Sequence, residues 1–260
     1  MWRWIWLLSL LPLALVLAQG DSAQSAKEEL ARQKELLRQT MGILPTELVT
    51  EQGKEIFFRK GPSGKTMEAC DFGLGVGAIK GAAARLPRYF ADTQRVDDLD
   101  TRIVYCMTQV QGYKPEEAKR PDVVAAAFYL ASQSQGEQVR VKATTPEERA
   151  MYTLGEKLFY ASSGNRDMGC AACHVDYVGR RAGPLFYADV LGEDRSWTHW
   201  PAYRYSNDQS WTMEDRIRAC YGNLGHPRPN FYSAPIIALE LFMAQKTNGA
   251  KLEESPAFVR

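Results

Sequence analysis

The chain has 260 residues, with 32 Lys and Arg against 31 Asp and Glu, a formal net charge of +1, and 45% hydrophobic residues. That balance excludes a strongly basic nucleic-acid binder and a disordered acidic segment. The length is more than one small domain needs, and two domains are the expectation.

Residues 1–26 read as an export signal. Arg3 supplies the positive charge, Trp4 to Leu17 form a short apolar run, and Val16-Leu17-Ala18 or Gln24-Ser25-Ala26 places small residues for cleavage. The run is about fourteen residues, shorter than the ~20 a spanning helix needs. No later segment is apolar enough to span, so the mature protein is expected in the periplasm, without a membrane span and where disulfides persist. Residues 27–46 form a helical extension, with amphipathic Ala26 to Leu37 as a surface or partner-contacting helix.

Residues 47–140 read as a first, mainly helical domain, with a helix from about Pro121 to Ser134. The stretch Met67-Glu68-Ala69-Cys70-Asp71-Phe72 runs into Gly73-Leu74-Gly75-Val76-Gly77. It fits no G-x-G-x-x-G pattern and is read as a tight turn.

Residues 141–260 read as a second domain. Thr145-Pro146-Glu147-Glu148 is a capping box opening a helix to about Tyr160. After a loop come Cys170-Ala171-Ala172-Cys173-His174, the C-x-x-C-H attachment site of a c-type haem. Each thiol adds across a haem vinyl group, and the adjacent imidazole reaches the iron. A zinc site would need a second ligand pair at similar spacing, and a redox disulfide would need a thioredoxin-like surround. Thr212-Met213-Glu214-Asp215 is another capped start, and its helix carries Arg216 and Cys220. A last helix, from Pro235 to about Thr247, is apolar nearly all round and is expected to be buried.

The chain also matches itself at an offset of 114 residues. Pro87-Arg88-Tyr89 falls on Pro201-Ala202-Tyr203, Arg102-Ile103-Val104-Tyr105-Cys106 on Arg216-Ile217-Arg218-Ala219-Cys220, Pro121 on Pro235 and Phe128 on Phe242. The expected fold is therefore mainly α: two tandem cytochrome c-like domains related by duplication, only the second holding haem. In the first, one Cys and no His stand where the motif belongs.

Cys70, Cys106 and Cys220 remain. Cys70 and Cys106 lie in the same domain and are the favoured disulfide, closing a loop of about 37 residues worth roughly 3.8 kcal/mol of chain entropy. Pairing of either with Cys220 stays open. The preferred place for Cys220 is the distal side of the haem opposite His174, with Arg216 one turn away on the same face. Met213 competes as the distal ligand. His199, among Trp197, Trp200, Tyr203 and Tyr205, reads as pocket wall, and His226 as a loop residue. Arg180 and Arg181 are candidate partners for haem propionates, or simply solvated charges.

The C-x-x-C-H motif, Pro201-Ala202-Tyr203-Arg204, the Arg216 to Cys220 run and the tail from Ala238-Leu239-Glu240-Leu241 through Leu252-Glu253 to Arg260 together resemble the SoxA family of thiosulfate-oxidising cytochrome subunits. The resemblance implies one covalent haem c, held by Cys170, Cys173 and His174 with Cys220 as distal ligand, a persulfide in many members, and Arg216 against the substrate. It implies an L-cysteine S-thiosulfotransferase that joins thiosulfate to a cysteine of a sulfur-carrier protein (SoxYZ-like). It also implies a heterodimer with a small monohaem cytochrome (SoxX-like) that takes the electrons. Many members hold a second haem in the first domain, and the Cys70-Asp71-Phe72 sequence implies the single-haem form.

Overall fold

A computed structural model of the chain describes residues 32, 35, 36, 38–40, 42–182, 185–191, 196–253 and 257–258. The expected export signal and most of the Ala26 to Leu37 stretch lie outside these residues. Residues 45–260 form one compact unit, and no helix among the described residues is long and apolar enough to cross a membrane.

A shared set of elements, four helix and hairpin units in the same order, occurs twice in this unit, with three further short strands in the second half. The first half contains α1 (Pro45–Phe58), a hairpin of β1 (Arg88–Phe90) and β2 (Arg95–Asp97), α2 (Leu99–Tyr105) and α3 (Arg120–Ser132). The second contains α4 (Pro146–Tyr160), two-residue strands β3 (Arg181–Ala182) and β4 (Leu185–Phe186), a hairpin of β5 (Ala202–Arg204) and β6 (Gln209–Trp211), α5 (Met213–Asn223) and α6 (Ala234–Lys246). Strand β7 (Ala257–Phe258) lies parallel to β5.

The hairpins share their register: Arg88 pairs with Asp97 and Phe90 with Arg95, as Ala202 pairs with Trp211 and Arg204 with Gln209, each residue 114 beyond its counterpart. Their turns carry left-handed residues at equivalent places, Gln94 (φ 53°) and Asp208 (φ 51°). These hairpins are too short to show a strand periodicity, and the sequence suggests only helix.

Each half is built on one helix pair, α1 against α3 and α4 against α6. A glycine sets each approach. A Cβ on Gly53 would stand 1.9 Å from the Ala125 carbonyl oxygen, and one on Gly155 would stand 2.0 Å from that of Ala238. The nearest side-chain atoms are the Cβ atoms of Tyr129 and Phe242, each at 3.0 Å. Phe57 meets Tyr129 at 5.3 Å and Phe159 meets Phe242 at 5.3 Å. The packing therefore matches Phe242 with Tyr129 and not with Phe128, one residue off the sequence register, because the face a helix presents to its neighbour decides equivalence.

The first-half core gathers Phe57, Phe72, Ile103, Met107 and Leu130 around a disulfide between Cys70 and Cys106. The Gly73 to Gly77 stretch is a tight turn in which the Asp71 carboxylate accepts from the N–H groups of Gly73 and Gly75. The second-half core joins Phe159, Ile217, Ile236, Leu239 and Phe242. A third cluster, with Ala84, Val96, Val139, Val141, Ile237 and Leu241, spans both halves.

The expected boundary at 140/141 is not a loose linker. Val139 N–H donates to the Ala250 carbonyl at 2.8 Å, and Asn248 bonds both backbone groups of Val141. Glu148 closes the predicted capping box of α4 and also accepts from Tyr89 N–H at 2.8 Å. These bonds outweigh its burial and hold its carboxyl below the usual range.

The halves also meet through the starts of α2 and α5. The Thr212 hydroxyl donates to Asp100 at 2.5 Å, and the Glu214 carboxyl bonds Asp98. Asp98 and Thr212 are equivalent N-cap positions, and Asp100 and Glu214 equivalent second positions, so each cap reaches the acid of the other helix. Arg120 sits among them, 2.8 Å from Asp100 and 2.6 Å from Asp215.

Candidate active site

Gly169 permits the turn before the haem-attachment motif, since a Cβ there would meet the Ala161 carbonyl oxygen at 2.2 Å. Cys170 then packs against the second-half core, and Ala172–Asp176 continue as a wide helical turn that carries Cys173 and His174. The imidazole is oriented from behind: Nδ1–H donates to the Ala188 carbonyl at 2.7 Å, which leaves Nε2 as the ligating nitrogen. A cleft of about 300 Å³ lies beside it, lined by Tyr160, His174, Val175, Val178, Asp189 and Leu191.

Helix α5 brings the remaining groups. Thr212 and Asp215 form its capping box, as the sequence predicts. Cys220, two turns on, lies within hydrogen-bonding reach of His174. Burial pushes its thiol up, but the Arg216 guanidinium, the bond to His174 and the more distant Arg204 outweigh this and hold it below the ordinary thiol value. The Cys170 thiol is pushed up to about 12, first by burial and then by the charges of Cys220 and Cys173. Burial also raises Cys173, whose sulfur accepts from the Tyr187 hydroxyl. Cys170, Cys173 and Cys220 are unbridged.

This donor set fits a c-type haem. Two thiols at attachment spacing, an imidazole with its outer nitrogen already bonded, and a second sulfur facing that imidazole all converge on one place, although Cys170 and Cys220 are fifty positions apart in the chain. Cys170, Cys173, His174 and Cys220 are the residues that would hold the haem.

Other sequence candidates fall elsewhere. Met213 is buried at the contact between the halves, where it lines a small cavity with Asp100, Thr212 and Glu240. It shares a helix face with Cys220 but lies about 10 Å along the axis from it. Arg218 points away from the site, donating to the Pro229 carbonyl with its guanidinium 4.0 Å over the Phe231 ring. His226 clamps the loop before the motif, accepting from Ser163 and donating to the Met168 carbonyl at 2.9 Å. His199 stacks loosely on Trp200 at 6.5 Å. Arg180 lies 5.1 Å over the Tyr177 ring.

Arg216 makes no ion pair with any described residue, and neither does a residue that the sequence reading passed over, Arg204 on β5. Its Nε is buried without a hydrogen-bond partner. Burial and the Arg216 charge lower its pKa, and the Cys220 charge opposes them. The signal for Arg204 was present in the internal match, where it stands opposite Phe90.

A family model described as SoxA/TsdA, cytochrome c domain, matches residues 52–139, the half without the attachment motif. A curated L-cysteine S-thiosulfotransferase subunit SoxA from Hydrogenobacter thermophilus is 44% identical, over 91% of this chain and 90% of that one. A second from the same organism is 39% identical, over 100% of both chains. A third, from Hydrogenophilus thermoluteolus, is 36% identical over 79% of each. Among solved structures, the crystal structure of SoxXA from P. pantotrophus matches with a TM-score of 0.71 at 21% identity, covering 82% of this chain and 78% of that one.

Proposed function

The chain belongs to the family of SoxA subunits of L-cysteine S-thiosulfotransferase, and from that membership and the geometry around Cys220 we propose that it joins thiosulfate oxidatively to a cysteine of a sulfur-carrier protein. The observation that carries this reading is a Cys220 sulfur held between His174 and an arginine that no carboxylate among the described residues neutralises. An electron-carrying cytochrome needs an axial ligand but no unpaired cation beside it.

Cys170 and Cys173 would hold one haem c through their thiols, with His174 and Cys220 as its further protein ligands. When bound, the haem supplies a one-electron acceptor next to the reacting sulfur. Arg216 draws in the thiosulfate dianion and orients its sulfane sulfur toward Cys220. Joining the Cys220 thiolate to thiosulfate gives an S–S–SO3 group and releases two electrons. The carrier thiolate then attacks the sulfane sulfur, the bond to Cys220 breaks, and Cys220 returns as thiolate. A small monohaem cytochrome, bound as the second subunit of a heterodimer, carries the electrons onward. Exposed Val175, Tyr177 and Val178 beside the attachment turn offer it an apolar surface.

The chain works in the periplasm as two cytochrome c-like domains that arose by duplication, about 47–140 and 141–260, of which only the second holds haem. The shared hairpin register, the two glycine-set helix pairs and the reciprocal cap contacts support this. In the first domain the Cys70 to Cys106 disulfide anchors the core in place of a haem.

Steady-state turnover with the partner cytochrome and the carrier tests the function, with mass spectrometry of the carrier as readout. Arg216→Ala is expected to lower kcat/KM for thiosulfate by about 10²-fold or more. Tetrathionate formed without a carrier, in place of a carrier adduct, would overturn the reading.

A further inference from the structure

Resting on that functional reading, we propose that Arg204 is a second substrate-binding residue, which with Arg216 grips the anionic sulfonate end of the thiosulfate joined at Cys220. The first half serves as an internal control. There Arg102, the counterpart of Arg216, is fully enclosed. Its Nη atoms donate to Asp92 at 2.9 and 2.7 Å, Asp97 stands 3.8 Å away, and its Nε donates to the Asp71 carbonyl. Its guanidinium carbon lies 3.9 Å over the Phe90 ring and 4.4 Å over that of Tyr105. Two carboxylates and two aromatic rings leave that arginine nothing further to bind.

In the second half, every one of those side chains is replaced. At the same offset of 114, Asp92 becomes Ser206, Asp97 becomes Trp211, Tyr105 becomes Ala219 and Phe90 becomes Arg204. Both carboxylates are gone, a bulky ring is reduced to a methyl group, and a second guanidinium takes the place of the ring that stacks on the first. The hairpin register is the same in both halves, so Arg204 approaches Arg216 from the direction in which Phe90 approaches Arg102.

Arg204 is positioned but not satisfied. Its guanidinium carbon lies 5.5 Å over the Trp211 ring, and its buried Nε bonds nothing. It stands close enough to feel the charges of both Arg216 and Cys220. Two guanidiniums with no described carboxylate between them repel each other, and an unbonded buried N–H is costly to leave unmade. An anion with several oxygen acceptors relieves both costs. A sulfonate offers three oxygens to two planar donors, one more acceptor face than a single arginine can fill.

The test uses the mature heterodimer. Sulfate, a dianion that cannot be oxidised, is titrated calorimetrically, and thiosulfate KM and kcat are measured separately. Arg204→Phe, which installs the first-half residue, should weaken sulfate binding and raise the thiosulfate KM by about tenfold or more, with a smaller fall in kcat. Arg204→Lys should restore most of the binding, because the charge is kept and only the fork is lost. If the phenylalanine variant does not accumulate, Arg204→Gln takes its place. Sulfate binding and KM within about twofold of the parent in these variants would overturn the assignment. So would a shifted haem potential with unchanged sulfate binding, which would place Arg204 on a haem propionate. A parent heterodimer that neither binds sulfate nor modifies the carrier would overturn the functional reading and this one with it.

Discussion

Arg102 and Arg216 occupy equivalent positions on equivalent helices, yet one holds the fold and the other faces the site. Arg102 is 1% exposed and bridges two aspartates. Removing it breaks a bidentate pair with Asp92 and empties the fully enclosed space between the Phe90 and Tyr105 rings, so Arg102→Ala should lower stability by about 3–5 kcal/mol in urea unfolding while sparing the thiosulfate KM. Arg216→Ala should do the opposite, lowering turnover with little loss of stability. The buried acids at the meeting of α2 and α5 carry a pH dependence. Burial and then the Asp100 charge raise Asp98, and burial and then the charges of Asp98 and Asp100 raise Glu214, whose carboxyl donates to Asp98. A raised carboxyl contributes stability that is fully present below the unfolded-state pKa and is lost as pH rises through the folded value. Stability should therefore fall between about pH 5 and 8, by up to about 1.4 kcal/mol per pH unit for one extra proton bound. Glu214→Gln should flatten that slope in denaturation curves across this range. At this scale the meeting of Cys220 with Arg216 and His174 was legible, because helical spacing and the C-x-x-C-H spacing carry it. Arg204 was not, since its role depends on what four other side chains fail to supply.

At the scale of elements, helix pairs position the chemistry. Helix α4 ends just before the haem-attachment turn, and Gly155 lets it settle against α6 at backbone distance. Gly155→Ala puts a methyl group 2.0 Å from a carbonyl oxygen, forcing the helices apart. A loss of about 3 kcal/mol or more is expected from thermal or urea unfolding, with a changed haem absorption spectrum as a second readout. Caps and buried faces made these helices readable from the sequence: α3, α4 and α6 fall within a residue or two of their expected bounds, and α5 starts where its cap predicts. The hairpins stayed hidden because three-residue strands show no alternation and are held by register with a neighbour. The one-residue slip that pairs Phe242 with Tyr129 was hidden for a similar reason: only the packed face reveals it.

For the whole molecule, the two halves differ in what their equivalent positions carry. The first half has no C-x-x-C-H motif, and its core closes on a disulfide linking positions 36 apart. Replacing Cys70 and Cys106 together by Ala should cost about 3.8 kcal/mol of stability, while the haem absorption spectrum of the second half stays unchanged. A change in that spectrum would mean that the halves share more than their seam. The central claim is that Cys220 is both haem ligand and sulfur acceptor. It is tested most directly by intact mass and non-reducing peptide mapping of the periplasmically matured protein after exposure to thiosulfate and an electron acceptor. The expected result is one haem on the Cys170 to His174 peptide, an intact Cys70 to Cys106 disulfide, and a thiosulfate-derived adduct on Cys220 that a carrier thiol removes. Cys220 found unmodified, or locked in a disulfide, would contradict it.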